Sequence, residues 1–229
     1  MKTVGIIGGL GPETTSEFYL ELCFGCQNKN KTRRPSILIW NVPQSYKIEE
    51  EVQVKSLGEE RYVQILQNAA QILEKGGADF LVMPCNTLHI FIDEIRRSVN
   101  IPVLSIVEET IKFLKENKIK KVGILATLAT IKWKLYENAL REENIDVVIP
   151  DGFQQAKIGK MVYNIVMNRH ANRDRQELIK VVDGFEKKGV KHVILACTDL
   201  QLLIPHHPKL KIYDTMKIFS DATVDRILK

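Results

Sequence analysis

The sequence has little cysteine, no long apolar run and no concentration of charge of one sign. Four cysteines among 229 residues are too few for a disulfide framework. No apolar run approaches the ~20 residues that cross a membrane, and the first residues lack the apolar stretch of a signal peptide. The net charge of +5 is spread along the chain and gives no argument for nucleic-acid binding. These absences predict a cytoplasmic protein with reduced thiols that binds neither membrane nor nucleic acid.

What the chain does have is short apolar runs alternating with amphipathic segments. The runs are rich in Val, Ile and Leu on successive residues, which is typical of strands buried on both faces of a parallel sheet. They cover residues 4–8, 37–42, 80–84, 103–106, 121–126, 146–149, 192–196 and 211–213. Helical spacing of apolar residues predicts helices over 53–75 and 177–188. This alternation predicts an α/β fold with parallel sheets.

The chain also repeats itself once. Val4-Gly5-Ile6 opens the first half, and Val122-Gly123-Ile124 opens the second. Later in each half a predicted strand ends at a cysteine, Cys85 in the first and Cys197 in the second, with a threonine within two residues. No linker rich in proline or serine separates the halves. The pattern therefore predicts a duplicated α/β unit whose halves pack closely.

The two matching cysteines are the candidate catalytic residues. Asn86 and Thr87 follow Cys85, Thr198 follows Cys197, and these residue types commonly begin helices. A thiol at a helix N-terminus faces free backbone N–H groups, which favour the thiolate and can hold a substrate carboxylate. Either cysteine alone also fits a small buried hydrophobic residue. If the halves face each other, one thiolate removes a proton from a carbon and the opposite thiol returns one to the other face.

The other two cysteines form a C-x-x-C pair, Cys23 and Cys26, in a helical stretch. A redox disulfide or half of a zinc site would fit this spacing. No second C-x-x-C and no suitably spaced His pair completes a tetrahedral site, so we expect no metal site and interpret both cysteines as core residues of a helix.

Further candidates for ligand binding lie at the ends of other predicted strands. Gly9 and Leu10 belong to a glycine-rich turn that departs from the G-x-G-x-x-G spacing of dinucleotide sites but lets the backbone approach a small ligand. Asn41 ends the second predicted strand. Thr127 and Thr130 follow residues 121–126, and either bind a carboxylate or cap a helix that begins at Ile131.

Several of these segments together resemble the aspartate/glutamate racemase family of cofactor-independent amino-acid racemases. The resemblance covers nearly the whole chain, and the paired cysteine motifs are its most specific part. It rests on the following segments: Gly8-Gly9-Leu10-Gly11-Pro12, Asn41-Val42-Pro43, Pro84-Cys85-Asn86-Thr87-Leu88-His89, Ala126-Thr127-Leu128-Ala129-Thr130, Ala196-Cys197-Thr198-Asp199 and Tyr213-Asp214-Thr215.

The resemblance implies two similar α/β domains, 1–104 with 215–229 and 105–214, related by a pseudo-twofold axis, with the active site in the cleft between them. A helix over about 216–228 would pack back on the first domain, and the protein would be a homodimer. Cys85 and Cys197 would be the acid/base residues, each serving one enantiomer, and neither pyridoxal phosphate nor a metal would be required. The α-carboxylate would be bound by Asn86, Thr87, Thr127 and Thr198.

The resemblance also bears on the substrate. Aspartate-specific members carry an Arg after the Asn-x-Pro and a Lys before the second cysteine. Lys47 stands near the first place and Met167 in the second, which removes a charge-assisted bond worth ~1.5–3 kcal/mol. Aspartate then fits less well, while glutamate or an amino acid with a neutral polar or apolar side chain is allowed.

Three functions are compatible with the sequence. The first is a racemase that uses the cysteine pair. The second is a decarboxylase or a cis-trans isomerase of the same fold, with one cysteine as nucleophile or proton donor. The third is a non-catalytic amino-acid-binding protein in which the thiols belong to the core.

Overall fold

The computed structural model describes residues 1–45, 47–48, 51–52, 57–203 and 206–229. Contacts divide the chain into two units. The first comprises 1–44, 59–110 and 216–229, and the second comprises 111–215 with the described residues among 45–58. The first unit is therefore built from three separate segments of the sequence.

The first unit contains a three-stranded parallel sheet in the order β2-β1-β3. All five residues of β1 are buried, as expected for a central strand. The strands and helices of this unit are β1 (Val4–Gly8), α1 (Pro12–Lys29), β2 (Ile37–Asn41), α2 (Tyr62–Lys75), β3 (Phe80–Val82), α3 (Ile92–Arg97), the start of α4 (Ile106–Glu116), and α9 (Thr215–Leu228), whose first residue is assigned to the second unit.

The second unit contains a four-stranded parallel sheet in the order β5-β4-β6-β7. Its core joins β4 and β6 to two helices, through residues such as Leu125, Ile158, Val182 and Phe185. Besides the rest of α4, its elements are β4 (Lys121–Ala126), α5 (Leu128–Lys132), α6 (Leu135–Glu142), β5 (Asp146–Val148), α7 (Gly152–Val166), α8 (Asn172–Lys187), β6 (His192–Ala196) and β7 (Lys211–Asp214).

The two sheets have corresponding strand orders, since the first strand of each unit lies between its second and third. The correspondence extends to the edge, where Val103 forms an isolated parallel bridge with Leu81 at the place that β7 occupies in the other sheet. These features confirm the predicted α/β class with two parallel sheets flanked by helices.

Some predicted boundaries are wrong. Residues 103–106 are no strand beyond the Val103 bridge, because Ser105 accepts the first hydrogen bond of α4, from the N–H of Glu109. The helix predicted over 53–75 begins at Tyr62 after a 3-10 turn over Glu59–Arg61, since Gly58 has a positive φ of 78°. Residues 53–56 of that prediction lie outside the described residues.

The helix predicted over 177–188 begins earlier, at Asn172. The carboxylate of Asp174 accepts a hydrogen bond from the N–H of Ala171 and caps the first turn. The helix predicted over about 216–228 lies close to the position of α9, and Phe219 of α9 stacks on Phe18 of α1 with ring centroids 5.6 Å apart.

Candidate active site

Cys85 follows a buried strand on a tight turn. Its N–H donates to the carbonyl of Met83 at 2.8 Å, so the chain turns away from the sheet directly after β3, earlier than the predicted strand end at Pro84. The Cys85 side chain is half-buried, whereas Asn86 is 1% exposed and precedes a 3-10 turn over Thr87–Phe91. The structure thus places a partly accessible thiol at the carboxyl end of β3.

His89 holds the backbone of this turn in place. Its Nδ1 lies 2.6 Å from the carbonyl oxygen of Cys85, and its Nε2 accepts a hydrogen bond from the N–H of Ile106 at 3.1 Å. Since Nε2 is an acceptor, the proton of the neutral ring is on Nδ1, which donates to Cys85. Burial lowers the pKa of His89 to about 4, so the imidazole is neutral at pH 7 and acts as a positioning residue.

The glycine turn brings three predicted residues together beside the sheet. The N–H of Gly9 donates to Thr15 Oγ1 at 3.0 Å, and Gly9 has a positive φ of 83°. A Cβ at Gly9 would lie 2.8 Å from Asn41 Oδ1, so Asn41 packs against the turn, next to which Leu10 is buried. Because β1 lies between β2 and β3, this turn and Cys85 share the carboxyl edge of the sheet.

Two polar residues of this edge were missed by the sequence reasoning. Gln44 Nε2 donates to the carbonyl of Gly9 at 3.1 Å, and the Tyr62 hydroxyl donates to Gln44 Oε1 at 2.6 Å. These contacts tie the glycine turn to the start of α2. The sequence contains no local signal for them, because Gln44 is distant from both Gly9 and Tyr62 along the chain.

In the second unit, Thr127 and Thr130 form a buried hydroxyl pair at the end of β4. Thr127 Oγ1 accepts a hydrogen bond from the N–H of Thr130 at 3.2 Å, and the two hydroxyl oxygens are 3.0 Å apart. Thr127 therefore caps α5, which begins at Leu128 rather than at the predicted Ile131.

Gln155 lies beside this pair and was also missed. Its Nε2 donates to the carbonyl of Ala126 at 2.9 Å, and the residue is 5% exposed. Its Oε1 is buried and accepts no hydrogen bond within the described part of the chain. A buried acceptor without a donor costs about 1–3 kcal/mol, and here it accompanies the hydroxyl pair at the carboxyl edge.

Cys197 comes directly after β6 and is 4% exposed. Its carbonyl accepts a hydrogen bond from Leu200 N–H at 3.2 Å in a 3-10 turn over Thr198–Leu202. Its thiol donates to Asp199 Oδ2 at a sulfur–oxygen distance of 3.8 Å, a contact that the sequence reasoning did not foresee. Thr198 is buried beside it.

The predicted residues Lys47 and Met167 do not follow directly on a strand. Lys47 is exposed in a short described segment, and Met167 is the C-cap of α7, with 38% of its surface exposed. Cys23 and Cys26 are both buried and free, as expected of core residues on a helix face.

A search for groups of three or more His, Cys, Asp or Glu able to hold a metal finds none among the residues that the structure describes. The described helices also include none that is long and apolar enough to cross a membrane.

Comparison with known proteins identifies one family that matches most of the chain. The family model for Asp/Glu/Hydantoin racemase matches residues 7–223. The broad specificity amino-acid racemase RacX of Bacillus subtilis is 30% identical over 230 residues, with 98% of each chain covered.

Two solved structures share the fold along the whole chain. The aspartate racemase of Picrophilus torridus has a TM-score of 0.82 and 27% identity, covering 100% of this chain and 95% of its own. An aspartate racemase homologue from Pyrococcus horikoshii has a TM-score of 0.80 and 25% identity, covering both chains completely. These matches confirm the predicted fold and the prediction of a racemase, an enzyme of the isomerase class. The chain belongs to the Asp/Glu/Hydantoin racemase family.

Proposed function

We propose that this protein is a cofactor-independent amino-acid racemase in which Cys85 and Cys197 act on opposite faces of the α-carbon. The observation that carries the proposal is the matching position of the two thiols. Each follows the third strand of its unit and precedes a 3-10 turn. The proposed domains are 1–104 with 215–229 and 105–214, which differ from the two contact units at the described residues among 45–58, at 105–110 and at 215.

The proposed reaction needs no net gain or loss of protons. One cysteine, as thiolate, takes the α-proton, and the electron pair of the broken C–H bond delocalises onto the substrate carboxylate. The other cysteine, as thiol, then gives its proton to the opposite face of the same carbon. The two sulfurs thereby exchange protonation states, which prepares the enzyme for the opposite enantiomer.

The charge that develops on the carboxylate is the main barrier, because this scheme uses no cofactor to take up the electron pair. Preorganised N–H and O–H donors in a site that excludes water can stabilise such charge. We propose that the donors come from both units. They are the side chains of Asn86, Thr87, Thr127, Thr130 and Thr198, with the backbone at Gly9 and Leu10 close to the ligand and Asn41 beside that turn.

The first test is a chiral assay of a panel of L-amino acids in deuterated water. We expect deuterium to enter at the α-carbon with inversion. Because acid–base groups contribute ~10²–10⁴-fold to rate, Cys85→Ser and Cys197→Ser should each lose racemisation by at least ~10²-fold while exchange of one enantiomer survives. Cys23→Ser is the matched control, since it changes a buried thiol within α1, outside both cysteine motifs.

Full activity in both serine variants would overturn the two-thiol proposal. Loss of CO₂ or isomerisation of a double bond would instead assign the protein to the decarboxylases or cis-trans isomerases of this fold. Tight binding of an amino acid without exchange would assign it to the non-catalytic binding proteins.

For the substrate we propose an amino acid with a neutral side chain rather than aspartate. Met167 would lie near the side chain of the substrate, and its thioether offers no charge to a second carboxylate. Lys47, which is exposed, would be the one cation left from the pair found in aspartate-specific members. The same amino-acid panel ranks these substrates directly, and a preference for aspartate would contradict this assignment.

We also propose that the racemase is a cytoplasmic homodimer. Analytical ultracentrifugation of the purified protein tests the dimer, and a single species with the mass of one chain, 26.2 kDa, would overturn it. Fractionation of cells that produce the protein tests its location.

A further inference from the structure

The second unit has a cavity of about 590 Å³ that is lined by α7, by α8 and by the segment that joins them. Its volume falls within the range of small-molecule sites, and none of the residues assigned above to the candidate active site lines it. Four cationic and two anionic side chains line it, from both helices and the segment between them: Lys157, Lys160, Arg169, Arg173, Asp174 and Glu177.

Both anionic side chains of the lining are already engaged by neighbours. Asp174 accepts hydrogen bonds from the N–H of Ala171 at 2.9 Å and from Asn164 Nδ2 at 3.1 Å. Glu177 forms ion pairs with Lys157 at 2.7 Å and with Lys180 at 2.5 Å. Neither carboxylate is therefore directed at the remaining cations of the cavity.

The other three cations have no such compensation. Lys160, Arg169 and Arg173 form no ion pair with any residue in the described ranges. Arg173 is also the second residue of α8, where the partial positive charge of the helix N-terminus adds to its own. All three side chains are exposed, so solvent and salt screen the repulsion between them, and a bound anion removes the part that remains.

We propose that this cavity binds a small anion with two or more negative charges, of the phosphate or carboxylate type. Arginine suits such a ligand because its guanidinium donates two parallel hydrogen bonds to phosphate or carboxylate oxygens. Two arginines and a lysine on one cavity match a multivalent ion better than a monovalent one. The proposal does not require the racemase reaction, although Met167, assigned above to the substrate side chain, lies in the chain between the lining residues Asn164 and Arg169.

The test measures binding of pyrophosphate and of citrate by calorimetry at constant ionic strength, with chloride as the monovalent reference. We expect saturable one-to-one binding of at least one of the two probes, and the stronger probe identifies the phosphate or the carboxylate type. The double variant Arg169→Gln/Arg173→Gln should weaken binding by about tenfold or more, since each substitution removes a charge-assisted contact.

The matched control is Arg175→Gln/Lys187→Gln, which removes the same two charges from exposed positions of α8 outside the cavity. Its affinity should stay within about twofold of the wild type, because only screened long-range charge is lost. Three results would overturn the proposal: no saturation by ~10 mM of either probe, equal loss of affinity in the two double variants, or direct competition between the probe and an amino-acid substrate.

Discussion

His89 should make the stability of the protein depend on pH in one defined window. Burial lowers its pKa from an ordinary value of 6.5 to about 4. Above pH 6.5 the imidazole is neutral in both the folded and the unfolded chain, and its full contribution to stability is present. As the pH falls below 6.5, the unfolded chain binds a proton that the folded chain cannot, so the free energy of unfolding decreases. The loss ends near pH 4, where folded His89 is protonated too.

The size of this loss follows from the two pKa values. At 1.36 kcal/mol for each tenfold change in proton affinity, His89 costs about 3 kcal/mol of stability across the window. His89 is 1% exposed, so solvent screening takes little from this figure. The loss is a large fraction of the ~5–15 kcal/mol that holds most domains folded.

The measurement compares denaturant unfolding at pH 7.5 and pH 4.5 in the wild type and in two glutamine variants. His89→Gln removes the titration and should lose about 2–3 kcal/mol less on acidification than the wild type does. His170→Gln makes the same change at an exposed position and should behave as the wild type. Exchange of the Ile106 amide, which donates to His89 Nε2, reports the same event locally. If His89→Gln and the wild type lose equal stability, the neutral buried imidazole is refuted.

Two further predictions concern the glycine turn and the substrate. Gly9 and Gly77 both have a positive φ, of 83° and 93°. The Cβ added by Gly9→Ala would lie 2.8 Å from Asn41 Oδ1, whereas the Cβ added by Gly77→Ala would have no heavy atom within 4 Å. Chemical denaturation should therefore show a further loss of about 1–3 kcal/mol for Gly9→Ala over Gly77→Ala, and equal losses would refute the close contact. Met167→Lys should raise kcat/KM for aspartate by about tenfold relative to a neutral amino acid, and an unchanged ratio would remove Met167 from the proposed site.

The sequence was sufficient to predict three of the strands that are buried on both faces. Val4–Gly8, Lys121–Ala126 and His192–Ala196 agree with the structure at both ends, because each is a continuous apolar run with polar or glycine neighbours. At the sheet edge the same reasoning failed, since Val103 is apolar but makes a single bridge before Ser105 begins α4.

In the candidate site, too, features with a local sequence signal could be predicted and contacts between distant residues could not. The positions of Cys85 and Cys197 after the third strand of each unit could be predicted because their motifs are local and repeated. The supporting contacts could not, because each joins residues that are distant in sequence, as Gln155 with Ala126 and Tyr62 with Gln44 do. For His89 the prediction is partial. The sequence shows its spacing of four residues from Cys85, but the role of Nε2 as an acceptor depends on the more distant Ile106.

The three-segment construction of the first unit has a consequence for protein synthesis. Its last segment, 216–229, is made only after the whole of 111–215. Phe219 in that segment stacks on Phe18 and meets the edge of the His89 ring, with centroids 6.2 Å apart. The ribosome therefore completes the chain of the second unit while the first still lacks a helix of its core. The turn that carries Cys85 therefore lacks the Phe219 ring that packs against His89 until residues 216–229 are made, although its own residues are made early.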